Sequence, residues 1–377
     1  MKKKMVRTRI SSVAMALLWY GTIVANELPE QAIVDLQTVV PGDDGNRTAV
    51  AAVARFKNAS VADLLPVLRA MKDATPVGRN YLAMVANSLY RKGGDAIETQ
   101  LEEFLNNPSH DGEARYMVLQ WLTAKDIGAR NTRLMLMTED PSLELRFAAI
   151  DLVMKEAQEL SDPDQKMAKL NELFDSARQP AQVIALAKAL NDLGRPVDMN
   201  KHFGFVTSWN LIGPFDNMNE AHFDTVYDVE RDLLEKTSDT SLAYDGKHDK
   251  VRWLQHTTDN QEGVVNVAEL FNKEKGAIVY AYQKLDFDEN QNAELRLGTI
   301  NANKAWWNGE LITANKVYHS AMEIDQYVGQ INVKPGANHL VLKLCQNEQT
   351  QNWAQDWKFQ IRVCDSNGTA VTPKSIP

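Results

Sequence analysis

Cysteine is scarce. The 377 residues hold two, Cys345 and Cys364, too few for a disulfide framework. Basic charge is also in deficit: 41 Lys and Arg stand against 50 Asp and Glu, a formal net charge of -9. A chain without basic excess has little with which to replace phosphate counterions, which excludes nucleic acid as the expected partner. No Gly-x-Ser-x-Gly, His-Glu-x-x-His, Cys-x-x-Cys or phosphate-cradling glycine loop occurs, and the histidines are scattered. The local signatures of common nucleophilic, metallo- and nucleotide chemistry are therefore missing. The chain reads as non-catalytic, although a carboxylate pair for glycoside chemistry leaves no local signature. No apolar run reaches the ~20 residues that span a bilayer, so no permanent membrane span is expected.

What is present begins at the N-terminus. Lys2, Lys3, Lys4, Arg7 and Arg9 precede the apolar segment Val13–Ala25. A basic stretch, a short apolar stretch and a small residue at its edge predict a signal peptide over 1–25. Export to the periplasm, cell surface or extracellular space follows, and removal of those five basic residues leaves a more acidic chain. Export also permits a disulfide. Cys345 and Cys364, however, share strand parity with Lys343 and Arg362, which places both on a solvent-facing side. A hairpin of those strands would set Cys345 opposite a residue near 357. That is too far out of register for the ~5.5 Å Cα separation of a bridge.

Residues 26–47 are expected to be a flexible lead-in, with Pro29 and then Pro41-Gly-Asp-Asp-Gly-Asn46. From 48 to 198 the apolar spacing is helical: Val61, Leu64, Leu65, Leu68 and Met71 share one face, as do Leu101, Phe104 and Leu105. Pro76, Pro108, Pro141 and Pro180 punctuate it at spacings of 32, 33 and 39 residues. A proline at a helix start loses no hydrogen bond. Three of these prolines precede similar phrases, Arg79-Asn-Tyr-Leu-Ala-Met, Arg115-Tyr-Met-Val-Leu-Gln-Trp and Arg146-Phe-Ala-Ala-Ile-Asp. The last two resemble the second helix of HEAT-type repeats, which implies an α-solenoid. An irregular helical bundle is the alternative. An acidic solenoid surface would suit a protein partner with basic character. Tyr90, Tyr116 and Trp121 sit at helical spacing and are read as core.

Gly194 and Pro196 end the last helix, and a short linker leads to a different pattern. Trp357, Phe359, Ile361 and Val363 alternate with Lys358, Gln360, Arg362 and Cys364, which predicts a strand with one wet face. Asn308-Gly309 predicts a type I′ hairpin, and Pro335-Gly336 a further turn. About eight or nine such strands over 205–372 predict an all-β sandwich. The break between the two patterns is Trp209-Asn-Leu-Ile-Gly-Pro-Phe-Asp-Asn217, expected to be a strand that stops at Gly213-Pro214. This stretch is similar to the W-x-x-x-G-P-F-x-N opening of a jelly-roll module found in exported bacterial proteins. Tyr244-Asp-Gly-Lys247, Trp253, Trp307-Asn-Gly309, Asp325 and Lys334-Pro-Gly-Ala-Asn338 follow in that module's order. The resemblance implies a galactose-binding-domain-like, or carbohydrate-binding-module-like, jelly roll after the helical repeats.

A sugar site needs an exposed aromatic platform with polar side chains around it. By the resemblance Trp307 takes the core slot, leaving its neighbour Trp306 as a surface candidate. The amide-rich loop Gln346–Asp356 supplies Trp353, Asn352 and Gln355, and these four are the predicted ligand-binding residues. Trp209 and Trp253 are assigned to packing. The turns Asp286–Asn290 and Asp216–Glu220 offer oxygens to a structural Ca²⁺ but carry no twelve-residue loop signature, and no cofactor is called for. The leading expectation is an exported, non-catalytic binding or scaffold protein: its helices contact a protein and its sandwich takes carbohydrate or a cell-surface polymer. An accessory subunit or degenerate relative of a carbohydrate-active enzyme is one alternative, and a purely structural scaffold is another.

Overall fold

Contacts divide the chain into two units, Met1–Leu152 and Val153–Pro377. The structure, a computed structural model, describes residues 27–235 and 239–374. The predicted signal peptide lies outside the described residues. Within them, no helix is long and apolar enough to cross a membrane.

The first unit is helical: α1 (Glu27–Gln37), α2 (Asp43–Arg55), α3 (Leu64–Ala70), α4 (Pro76–Tyr90), α5 (Glu98–Asn106), α6 (Gly112–Leu122), α7 (Ile127–Leu134) and the start of α8 (Leu143–Gln158). The expected lead-in differs from its sequence reading, because 27–37 and 43–55 are helices. Ala32, Leu36, Ala49 and Ala52 recur at helical spacing and are buried in the unit's core, so their apolar contacts hold the segment. Pro76 opens α4 behind its cap Thr75, whose hydroxyl accepts from the Gly78 N–H. Asp111 caps α6 in the same way through the Ala114 N–H.

The recurrent arginines serve as ties. Arg79 Nε lies 3.3 Å from Asp111, the cap of α6. Arg115, buried, forms a bidentate pair with Asp140 at 2.7 and 2.8 Å and donates to the Leu105 carbonyl. Arg146 in α8 donates to the Asp140 carbonyl at 2.8 Å. Arg79 and Arg115 each reach an acidic residue that introduces a later phrase. This long-range partnership accounts for one arginine near each of these helix starts.

The second unit begins with the rest of α8, then α9 (Pro163–Ser176), α10 (Pro180–Asp192) and α11 (Met199–Phe203). Gly194 closes α10 at φ 79°, a left-handed conformation that glycine adopts without steric cost. The expected linker Val197–Phe205 contains α11, with Phe203 and Phe205 buried. There follow β1 (Ser208–Asp216), α12 (Asp228–Leu234), β2 (Tyr244–Asp245), β3 (Lys250–Val251), β4 (Leu254–Thr257), β5 (Val265–Asn266), α13 (Val267–Leu270), β6 (Ala277–Phe287) and β7 (Gln291–Thr299). The chain ends with β8 (Ala302–Trp307), β9 (Glu310–Asn315), β10 (Tyr327–Val333), β11 (Gly336–Gln346) and β12 (Lys358–Cys364).

The strands form a six-stranded sheet, β4-β1-β6-β11-β8-β9, a four-stranded sheet, β10-β7-β12-β5, and the small pair β2-β3, all antiparallel. The two larger sheets pack into a sandwich. Its inner core takes Trp209, Leu211, Val279, Leu342 and Trp307 from one sheet and Leu295, Phe359 and Ile361 from the other. Asn308 and Gly309 turn β8 into β9 with φ 55° and 89°, as the hairpin signal predicts.

β1 does not stop at Gly213-Pro214. That peptide bond is cis, and pairing with β6 resumes beyond it. Ile212 faces Tyr280 and Phe215 faces Ile278, so β1 gains one residue on its partner, a bulge. One extra residue exchanges the two faces of a strand. Trp209 and Leu211 therefore point into the inner core, while Phe215 points outward into a second cluster with Tyr280, Val229 and Leu233.

That second cluster corrects two expectations. α12 covers the outer face of the six-stranded sheet, so Trp306 is buried among Val229, Leu233 and Val341 and is no surface platform. Cys345 is buried there too, contrary to its expected wet parity. On the other sheet Arg362 and Cys364 are fully buried, because α11 and the segment after β12 lie over that face. β11 and β12 belong to different sheets, so the hairpin expected between them does not form. Both thiols are free.

Candidate functional site

One end of the sandwich gathers three connections: the turn after β1, the segment between β9 and β10, and the loop between β11 and β12. Asn217, the last residue of the Trp209–Asn217 stretch, is fully buried and ties them. Its Nδ2 donates to the Tyr318 hydroxyl at 3.0 Å and to the Gln346 carbonyl at 3.2 Å, while its Oδ1 accepts from the His222 N–H. Burial pushes the Tyr318 hydroxyl well above its ordinary range.

The loop after Gln346 is held from below. The Ala354 carbonyl accepts from Lys275 Nζ at 2.7 Å and from Gln346 Nε2 at 3.3 Å. Gln355 Nε2 donates to the carbonyls of Thr350 and Gln351, so this predicted ligand residue braces its own loop. A 3-10 turn over Asn352–Ala354 buries Ala354 and leaves Trp353 62% exposed, with Asn352 exposed beside it. An indole that open gains little from folding.

His319 meets the indole edge-on, with ring centroids 5.0 Å apart and planes at 86°. Its Nε2 lies 2.8 Å from Asn347 Oδ1, and Asn347 Nδ2 donates to Glu220 Oε1 at 3.0 Å. With the Asn347 amide oriented by Glu220, Oδ1 is the acceptor and His319 Nε2 carries a proton. Among the described residues the buried Nδ1 has no hydrogen-bond partner. His319 and Glu220 have φ of 56° and 55°, a conformation costing about 1 kcal/mol or more for a residue with a side chain. Two such residues converge on Asn347, which is itself buried.

Of the four predicted ligand residues, Trp353, Asn352 and Gln355 lie together at this end, and Trp306 lies under α12. Trp253, assigned to packing, is half-buried against the outer cluster. His319 carried no local signal, while Asn347 stood in the amide-rich loop and Glu220 in the oxygen-rich turn without either being singled out. Asn217 stood inside the recognised stretch but read as a turn former. Chemically, the arrangement offers a fixed aromatic face rimmed by amide, imidazole and carboxylate groups. Among the described residues, no group of three or more His, Cys, Asp or Glu is placed to hold a metal ion. Asp216 pairs with His222 at 3.2 Å and Asp288 with Lys374 at 2.7 Å.

No protein-family model matches the chain, and no curated protein matches it. Solved structures overlap it in part. A β-glucosidase from Kluyveromyces marxianus in complex with glucose is 14% identical over 24% of this chain and 11% of its own, with a TM-score of 0.20. An anti-sigma factor domain-containing protein is 14% identical over 44% of this chain and 48% of its own, at 0.25. An α-xylosidase from Xanthomonas citri is 10% identical over 30% and 15%, at 0.17. The chain thus spans about a tenth of the length of the β-glucosidase, 11%. Overlaps this partial assign no activity.

Proposed function

We propose that this chain is an exported, non-catalytic binding protein whose β-sandwich, a galactose-binding-like jelly roll, takes carbohydrate or a cell-surface polymer at the Trp353 loop. The exposed, braced Trp353 carries the reading. Folding leaves its ring in water while Lys275, Gln346 and His319 fix the loop beneath and beside it. The apolar face of a pyranose stacks on such a ring, and the exposed Asn352 and Gln349 lie in the same loop to take hydroxyls. The helices serve as HEAT-like repeats contacting a protein, supported by the ties Arg79–Asp111 and Arg115–Asp140.

Trp353→Ala in the full chain is expected to weaken binding to an insoluble polysaccharide panel by about thirtyfold, the scale of one aromatic anchor. Its melting temperature should match the parent's, since the ring is largely exposed. Pull-down isotherms and a thermal melt check both. Equal retention of parent and variant on every polymer would sink the reading.

A further inference from the structure

Where α4, α5 and α6 come together, the first unit contains a cavity of about 360 Å³, at the lower end of the ~300–1,000 Å³ range of small-ligand sites. Tyr90, the last residue of α4, stacks on Trp121 with centroids 4.5 Å apart and planes 8° apart. Both rings are held: Trp121 Nε1 donates to Asn87 Oδ1 at 3.2 Å, and the Tyr90 hydroxyl donates to Asp95 Oδ1 at 3.2 Å. Asp95 and Glu98, both exposed, complete the lining with Leu101, Leu122 and, at the rim, Lys125. Among the described residues neither carboxylate has an ion-pair partner.

Three features of this cavity favour one sign of charge. α4 and α6 both end on it, at Tyr90 and Leu122, where a helix C-terminus carries partial negative charge, while the one helix that starts there, α5, has its positive end offset by Glu98. The two carboxylates add full charges. The aromatic pair adds ring faces, whose quadrupole attracts cations. Burial first, then the bond to Asp95 and the charges of Asp95 and Glu98, raise the Tyr90 hydroxyl above its ordinary value. Each carboxylate alone has a modest local explanation, since Glu98 opens α5 and Asp95 accepts from Tyr90. Neither explains a cavity between them walled by stacked rings.

We propose that this cavity binds an organic cation, the guanidinium or ammonium end of an arginine or lysine carried by a basic segment of a protein partner. The ring faces take the flat or alkyl part of the side chain, and Asp95 and Glu98 accept from its N–H groups. The proposal uses no residue of the sandwich and stands or falls separately from the Trp353 reading.

Calorimetric titration of the full chain with N-acetyl-arginine amide, its neutral isostere N-acetyl-citrulline amide, and a short arginine-containing peptide tests it. Arginine amide is expected to bind about tenfold more tightly than citrulline amide, and the peptide more tightly than either. The Asp95→Asn/Glu98→Gln variant should lose about tenfold for both cationic probes. Both changes are on the surface and near-isosteric, so the melting temperature should hold. Trp353→Ala should bind the cations as the parent does. Equal binding of arginine and citrulline amides, an unaffected double variant, or no heat with any cationic probe would overturn the proposal. An amide binding as tightly as the peptide would overturn its protein-segment part and assign the cavity to a free small cation.

Discussion

Replacing Asp325 with alanine lowers the unfolding free energy of the second unit by about 3–5 kcal/mol, the scale of removing one partner from a buried ion pair. Arg362 is fully buried, and Asp325 takes its Nε and Nη2 at 2.7 and 2.6 Å. Arg296 donates to the same carboxylate at 2.8 Å. Without it, Arg362 keeps, among the described residues, the carbonyls of Phe203 and Gly368 and the Phe203 ring at 5.2 Å, and its charge stays in the interior. Urea unfolding at constant m-value reads the loss, and a shift under about 1 kcal/mol would contradict it. The same residue predicts an acid limb. Burial alone would raise the Asp325 carboxyl, but hydrogen bonds and charge from Arg362 and then Arg296 outweigh it and hold it below the ordinary value. A depressed carboxyl contributes stability that is present above its unfolded value of about 3.9 and is lost as pH falls through the folded value. The wild-type chain therefore loses stability in that acid window, and Asp325→Ala shows a flatter decline there.

Glu230→Ala has an effect of similar size on the opposite sheet. Lys343 is fully buried and lies 3.1 Å from Glu230 Oε2, which also accepts from the Tyr280 hydroxyl at 2.6 Å. Truncating Glu230 leaves an ammonium with one carbonyl, that of Thr225, and a buried phenol with no acceptor. The expected cost is again about 3–5 kcal/mol. Glu230→Leu combined with Lys343→Met should recover most of it, because an apolar pair of similar volume can match a buried ion pair. A double-mutant cycle by urea unfolding measures the coupling, and additive single effects would refute the pairing.

These two charged pairs mark where sequence reading ended. Helix starts at Pro76 and Pro180, the stop at Gly194, the Asn308-Gly309 hairpin and the change from helical to alternating pattern at Trp209 are local signals, and the structure has them where they stand in the chain. The fate of each sheet's outer face is not local. β12 alternates cleanly, so Lys358, Gln360, Arg362 and Cys364 read as wet, yet α11, distant in sequence, and the segment after β12 cover most of them. Trp306 read as exposed for the same reason, and α12, not the strand itself, decides its burial. The bulge in β1 moves Phe215 across the sheet by one residue, a displacement that no alternation count can register. At the candidate site Trp353 was legible, because an aromatic in an amide-rich loop stands out. Its supports, His319, Asn347 and Glu220, come from three separate connections and meet only in space.

The covered outer faces also determine the sulfur chemistry. Burial pushes the Cys345 thiol up to about 12 and the Cys364 thiol up to about 11, and the two sit in different sheets beneath different covers. A thiol must ionise before it attacks an oxidant or an alkylating reagent. Neither sulfur is therefore available for exchange while its cover is in place. Cys345 becomes reactive when α12 lifts, and Cys364 when the segment after β12 detaches. Each cysteine is a clock for the opening of its own side of the sandwich.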